Sequence, residues 1–564
     1  MNILVINLTR FGDLLQSAAA IRALAGNAGN GADGKNEHKI GIVCLENFTA
    51  GAELLPEIAA IYPLPASTIM RRSNAGNTPR SPGGQSASHP TGETVNPAAW
   101  LDGLGCLYEW VEYVRADFRP DAICNISPFT PSSLLGRLLA GGEKLSGFSL
   151  DEFGFFQADS LWASFIQGAS GARGTSPFNI VDLFRKVAEP ESVFSDASLL
   201  PVARSSLAAM RERLAASAPE PPAGFVALQL GASADIRRWP VASFAQTGQA
   251  LWERHRLLPV LVGTKSEIPL GEEYAAFAAG SAHPFANLMG QTGLTELAAA
   301  LTVSRLCISN DTGTLHLASG LGVPVLGIYL ATAQPWDTGP YASGNCSLEP
   351  DLVCHPCNFN TQCAHAYACH TAVTPETVIH LASAKLTKNR WTPENFSAPA
   401  PAIFSGSRAW ESTTDPHGFA DLLSLSGHER EYRTQWMRLQ RHLYRQFFDR
   451  SPTQPFAPTP PETVFHLAPE ACAPVARACD ECLALLDAME QQAAMLTQNP
   501  LPIIRDRFSR TCQRLAATLR SQPDFTAIAF CWQTESMRQT DIEHAIPLVA
   551  QYRSLFSRLR EMLP

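Results

Sequence analysis

Leu306-Cys307-Ile308-Ser309-Asn310-Asp311-Thr312-Gly313-Thr314-Leu315-His316-Leu317-Ala318 reads as a buried strand, a tight polar turn and the start of a helix. Apolar and small residues lead into Ser309, the turn spans Asn310 to Gly313, and helical composition begins at Thr314. Such a turn lies at the carboxyl edge of an open α/β sheet, where ligands bind. The free N–H groups that open the following helix favour an anion such as a phosphate. Taken alone, the stretch reads as a capped βα junction without a ligand, because Asp311 or Thr312 is a good N-cap and every α/β protein has such turns.

The same alternation extends on both sides. Residues 225–230 form an apolar strand followed by Gly231-Ala232-Ser233, and Arg237-Arg238-Trp239-Pro240 stands just before a helix over 241–252. A strand over 257–262 ends at Gly263-Thr264-Lys265-Ser266-Glu267; a helix over 295–301 and a strand over 323–329 complete the unit. Near the N-terminus, a strand over 3–8 runs through Thr9-Arg10-Phe11-Gly12-Asp13 into a helix over 14–24, and further strands are expected at 40–45 and 122–126. The first loop has one glycine where a dinucleotide fingerprint needs three, which disfavours a nicotinamide or flavin cofactor. The pattern predicts an α/β protein with two tandem units, parallel sheets wrapped by helices, facing each other across a cleft.

Length and composition bound the rest. A chain of 564 residues exceeds a single core, and roughly three or four domains are expected. Apolar residues at 45% and charged residues at 17% suit a soluble globular protein. The 43 basic residues against 52 acidic ones leave a net charge of −9, so no overall basic field points to nucleic acid. The N-terminal apolar run lacks a preceding positive region and reads as a strand, not a signal peptide. No stretch of about 18 uncharged apolar residues suggests a membrane span. Most of the 14 cysteines sit singly in apolar segments, as reduced thiols of a cytoplasmic protein would. A stretch from about 67 to 97, rich in Ser, Gly, Pro, Asn and Thr, is expected to be a disordered insertion. Past about 386 prolines punctuate segments with no strand alternation, which predicts a linker over 387–418 and an all-helical appendix over 419–564.

Three separated motifs together resemble the ADP-heptose heptosyltransferases of glycosyltransferase family 9. They are Asn7-Leu8-Thr9-Arg10-Phe11-Gly12-Asp13, then Gly231-Ala232-Ser233 with Arg237-Arg238-Trp239-Pro240, then Ser309 to Ala318 with Gly322-Val323-Pro324-Val325. The resemblance covers about residues 1–386. It implies the GT-B fold, two Rossmann-like domains facing a cleft: residues 1–200 on the acceptor side and 201–386 binding the nucleotide sugar, ADP-heptose, with the helical appendix outside the resemblance. It also implies inverting transfer to a hydroxyl of a lipopolysaccharide-core saccharide or a protein, with no cofactor required for catalysis.

The family's base matches Asp13, a residue that on position alone could equally cap its helix. Thr9, Arg10 and Gly12 fall on the acceptor side. On the donor side, Thr312, Gly313 and Thr314 can offer backbone N–H groups and hydroxyls to a diphosphate, and Ser233 a further hydroxyl. Arg237 stands where the family usually has a lysine, which keeps the charge but presents a planar fork. Asp311 beside a diphosphate is expected to cap the helix or accept from a sugar or backbone donor. His316 is expected to anchor the loop. Glu267 matches an acidic residue of the family that accepts from ribose hydroxyls, and could equally be a solvated loop residue.

Two features remain. Cys354-His355-Pro356-Cys357, Cys363 and Cys369 begin with the two-residue gap of a metal knuckle, and some family members carry a four-cysteine metal knot after the donor motif. A structural zinc or iron and an empty thiol cluster fit equally. Tyr432, Trp436, Leu439, Leu443 and Phe447 recur at helical spacing, with Arg430, Arg433, Arg438, Arg441 and Arg445 mainly on the other side. That helix either packs in a bundle or docks peripherally at the anionic inner membrane. A non-catalytic scaffold that retains the nucleotide-sugar pocket and works through its helical region is the rival to the transferase.

Overall fold

A computed structural model describes residues 1–26, 38–75, 96–169, 174–193, 196–359, 361–392, 402–449, 456–457, 465–538 and 542–564. Six strands, β1 (Asn2–Ile6), β2 (Lys39–Leu45), β3 (Ile58–Leu64), β4 (Ala122–Asn125), β5 (Lys144–Leu150) and β6 (Phe156–Ala158), form one sheet in the order β3-β2-β1-β4-β5-β6. All pairs are parallel except β5 with β6. The second sheet holds β7 (Gly224–Gln229), β8 (Leu257–Val262), β9 (Ala286–Asn287), β10 (Leu306–Asn310), β11 (Val325–Ile328), β12 (Cys346–Pro350), β13 (Ser407–Thr414) and β14 (Ala420–Ser424). Its order is β14-β13-β12-β11-β10-β7-β8-β9. Strands such as β8, buried at every position, read as continuous apolar runs because helices cover both faces of a parallel sheet.

The first sheet and the parallel part of the second share the doubly wound order, reversing between β1 and β4 in one and between β7 and β10 in the other. Ligands of such sheets bind outside the carboxyl ends of the strands at that reversal. Topology therefore places the loops after β1, β7 and β10 at the two ligand-binding edges. The GT-B arrangement of two Rossmann-like domains is the observed architecture.

Three expectations need correction. Within the expected insertion at 67–97, residues 67–73 belong to a helix, Ala66–Ser73, packed against helix Pro97–Phe118, while 76–95 lie outside the described residues. The expected linker over 387–418 contains β13, and 393–401 lie outside the described residues. The region from 419 onward is not all helical, because β14 completes an antiparallel hairpin that extends the second sheet from β12.

Nor is the helical region an outlying appendix. Helix Tyr432–Asp449 places Phe448 at 5.0 Å from the Trp162 ring and 5.1 Å from Phe165, and Trp162 Nε1 donates to Asp449 Oδ1 at 2.8 Å. Helix Thr526–Arg538 crosses helix Leu161–Ala169 so closely that a Cβ on Gly168 would stand 2.3 Å from Phe530 Cβ. One continuous apolar core thus runs from the first domain into the helical region. The basic face of helix Tyr432–Asp449 is also turned inward. Arg438 pairs with Asp421 and Glu429, Arg441 with Asp415 and Asp421, and Arg433 with Glu349. The packed helix, not the membrane-docking one, is what forms, because carboxylates of the hairpin meet the arginines. Among the described residues no helix is long and apolar enough to cross a membrane.

Candidate active site

Each sheet contributes one helix to the place where the domains meet. Helix Phe11–Gln16 follows β1, helix Gly313–Gly320 follows β10, and the two pack on each other. The approach is close: a Cβ on Gly12 would lie 3.0 Å from His316 Cδ2 and 3.3 Å from Gly313 Cα. A Cβ on Gly313 would lie 2.5 Å from Phe11 Cδ1. Two glycines in register let the loops touch. Gly313→Ala is accordingly expected to push the Phe11 ring aside at about 1–3 kcal/mol, read as a lowered urea midpoint with an unchanged slope.

Asp13 follows Gly12, so it is brought to the same junction, partly exposed in the first turn of its helix. The N-cap of that helix is Arg10, with no side-chain cap bond of its own. Thr9 is buried with its hydroxyl on Asn7 Oδ1, whereas Arg10 is exposed at the mouth.

On the second domain the turn is stapled from within. Asn310 Nδ2 donates to the carbonyls of Leu230 and Gly231 at 2.9 and 3.1 Å, and Asn310 Oδ1 accepts from Trp239 N at 3.0 Å. One side chain therefore locks the loops after β7 and β10 together. Trp239 is fully buried, its indole donating to Val373 O at 2.8 Å, which anchors the segment carrying Arg237. Arg237 points back to the turn, where Nη1 donates to Ser233 Oγ at 2.9 Å and Nη2 pairs with the Asp311 carboxylate.

Asp311 consequently does not cap the helix, as its sequence position suggested. Thr312 is the N-cap, without a side-chain cap bond, and the Asp311 carboxylate is taken by Arg237, 74 residues away in the chain. His316 Nε2 lies 3.8 Å from Asp311 Oδ1. Burial drives the His316 pKa below its ordinary value, nearby Asp311 only partly offsets that and Arg237 adds a little to it, so the ring is neutral at pH 7. A neutral, buried histidine suits the anchoring role and not that of an acid.

A polar relay crosses the carboxyl edge. Thr314 Oγ1 donates to Gln229 Oε1 at 3.3 Å, Gln229 Nε2 donates to Glu267 Oε1 at 3.2 Å, and Glu267 Oε2 accepts from Thr264 N at 2.7 Å. Glu267 is thus held by a capping box at its own loop and lies across Gly231, where a Cβ would overlap its carboxylate. It is not a freely solvated loop residue. The hydroxyls of Thr312 and Thr314 are engaged by Ser309 and Gln229, so what the turn presents to an anion is chiefly the backbone N–H groups of Gly313 and Thr314, which have no intrahelical acceptor.

Two residues here escaped the sequence reading. Gln229, the polar end of an otherwise apolar strand, was a visible signal. Gln16 was not, being one polar residue on a helix face. It is buried with both amide atoms unpartnered and lines a cavity of about 260 Å3 with His316, Ser319 and Tyr341, on the far side of the two-helix crossing.

The four cysteines of the cluster, Cys354, Cys357, Cys363 and Cys369, line one cavity of about 240 Å3. Burial, with the neighbouring thiols, pushes the Cys357 thiol up. The backbone N–H groups of His365 and Tyr367 both approach Cys363 Sγ at 3.4 Å. Soft donors around a single void fit a metal, although no three of the sulfurs lie within 4.8 Å of one another. Among the described residues, the group that does meet that distance is Asp351, His428 and Glu431. Arg408 already bridges its carboxylates at 2.6 and 3.2 Å, which makes it an ion-pair cluster.

Residues 179–368 match glycosyltransferase family 9 (heptosyltransferase). The chain is 30% identical over 147 residues to lipopolysaccharide heptosyltransferase 1 of Pseudomonas aeruginosa, covering 26% of this chain and 39% of that protein. It is 29% identical over 164 residues to lipooligosaccharide heptosyltransferase 2 of Campylobacter jejuni, covering 29% and 50%. The chain thus spans half or less of the length of these relatives. Among solved structures, ADP-heptose lps heptosyltransferase II of E. coli aligns over 69% of this chain and 99% of its own, at 16% identity and a TM-score of 0.47.

Proposed function

We propose that this chain, similar to glycosyltransferase family 9 over residues 179–368, is an inverting glycosyltransferase. In this reading it moves heptose from ADP-heptose to a hydroxyl of a lipopolysaccharide-core saccharide or of a protein. The observation that carries the proposal is the contact of Gly12 with Gly313, which sets the helix that carries Asp13 against the N-terminus of helix Gly313–Gly320. Asp13 takes the proton of the acceptor hydroxyl as its oxygen bonds to the anomeric carbon. The bond from that carbon to the diphosphate breaks, and the pair of electrons leaves on the nucleotide. Negative charge developing there is met by the N–H groups of Gly313 and Thr314 and by Arg237. Asp311 holds Arg237 in place, so that no reorganisation is needed during the reaction. Glu267, beside Gly231, is positioned to accept from ribose hydroxyls.

Calorimetric titration with ADP, followed by an ADP-release assay with ADP-heptose and candidate acceptors, tests the reading. Binding and acceptor-dependent release are expected. Binding with no release for any acceptor would favour the non-catalytic scaffold, and absence of ADP binding would overturn both.

The cysteine cluster is proposed to hold a structural zinc or iron through Cys354, Cys357, Cys363 and Cys369, with no part in the transfer. Elemental analysis of the purified chain is expected to give about one metal per chain, lost in Cys357→Ser. A metal-free protein of unchanged stability would sink this assignment.

A further inference from the structure

The helical region holds a second cavity that the transfer reaction does not use. Helices Pro469–Gln498, Pro502–Ser521, Thr526–Arg538 and Ile542–Met562 enclose about 450 Å3 at one end of their bundle. Its walls are chiefly apolar, with Met489, Leu496, Phe508, Trp532, Leu548 and Val549 among them. The volume falls in the range of ligand sites. Trp532 is 1% exposed and its indole Nε1 has no hydrogen-bond partner.

The surroundings are as unusual as the interior. Met495, Leu501, Ile503, Met537 and Ile546, each next to or within two residues of a lining residue, are 37–77% exposed. Exposed apolar residues gathered at the helix ends that form an apolar cavity point to an interaction site. Arg505 lines the cavity from an exposed position. It begins a run on helix Pro502–Ser521 of Arg505, Arg507, Arg510, Arg514 and Arg520 against a single acid, Asp506, and of these Arg505 alone lines the cavity. Among the described residues none of these five has a carboxylate partner, in contrast to Arg433, Arg438 and Arg441 of helix Tyr432–Asp449.

We propose that this bundle end binds an anionic membrane phospholipid. An acyl chain enters the cavity, the apolar rim sits at the headgroup boundary, and Arg505 with its neighbours faces the acidic headgroups. The charge complementarity selects a phospholipid surface over a neutral apolar partner. The inference rests on the helical region alone and stands or falls independently of the donor chemistry.

Flotation of the full chain with vesicles tests it. Recovery with phosphatidylcholine vesicles containing phosphatidylglycerol is expected to exceed recovery with phosphatidylcholine alone by at least about tenfold, and to fall with added salt. Arg505→Glu with Arg507→Glu, both exposed, should abolish that preference. Ala545→Phe, which fills the cavity, should abolish uptake of cis-parinaric acid by a chain whose circular dichroism is unchanged. Should Ala545→Phe not fold, saturable parinarate uptake by the unaltered chain, competed by phosphatidylglycerol, replaces it. Equal recovery with both vesicle types, unsaturable parinarate uptake, or parinarate binding without vesicle binding each overturns the proposal. So does a rim-dependent dimer in place of vesicle binding, which would assign the mouth to a second copy of the chain.

Discussion

Asp13→Asn is expected to lower turnover by about 10²- to 10⁴-fold while ADP affinity stays within a factor of about three. The asymmetry follows from the division of labour between the sheets. Asp13 belongs to the helix after β1, whereas every group proposed to hold the diphosphate belongs to the loops after β7 and β10. Asparagine keeps the shape of the side chain, so the contact of Gly12 with Gly313 survives and only the proton acceptor is lost. Single-turnover ADP release together with calorimetric titration separates the two effects. Retention of more than about a tenth of the rate would reassign the base. A parallel loss of ADP affinity would mean that the carboxylate shapes the seat instead.

The second large effect lies where the helical region grips the second sheet. Glu349, at 0% exposure on β12, accepts from Trp410 Nε1 at 3.0 Å, Arg433 Nη1 at 3.1 Å and His355 Nε2 at 3.1 Å. Burial alone would raise this carboxyl, but Arg433 and His355 outweigh it and hold it down at about 2. Arg433→Met strands the charge and is expected to cost about 3–5 kcal/mol at pH 7, measured by urea unfolding. In the unaltered chain the Glu349 contribution is complete above the ordinary glutamate range near pH 4.5 and is lost as pH falls towards 2. In Arg433→Met the carboxyl rises above its unfolded value, so the deficit should shrink on acidification from pH 7. Adding Glu349→Gln to Arg433→Met should recover part of the loss, since it removes the stranded charge. A deficit independent of pH, unrelieved in the double variant, would show that Arg433 acts by packing alone.

Much of the site was legible because it is local. The turn Asn310-Asp311-Thr312-Gly313 sits between a strand and a helix whose periodicities are strong, and the loops after β1 and β7 carry equally clear strand ends. What those loops do to one another was not legible. The carboxylate of Asp311 looks like a cap in a one-dimensional reading, and only the distant Arg237 changes its role. The arginines beside the Trp436 stripe present the same amphipathic pattern whether they meet lipid phosphates or Asp415, Asp421 and Glu429. The hairpin β13–β14 was missed because neighbouring prolines and polar residues masked its alternation, and because its pairing partner is β12, not a segment close in sequence.

By itself the sequence determined the alternation of strands and helices, the two-domain α/β plan and the positions of the glycines and polar residues at the strand ends. These follow from backbone sterics and apolar periodicity, which act over a few residues. The tertiary structure decided which charges neutralise one another, that Gly12 and Gly313 touch, and that the helical region is built into the core of the first domain. It also left the arginines of helix Pro502–Ser521 without carboxylate partners among the described residues, with Arg505 lining an apolar cavity. Ion pairs and burial depend on which surfaces meet, and no local propensity encodes the meeting of residues hundreds of positions apart.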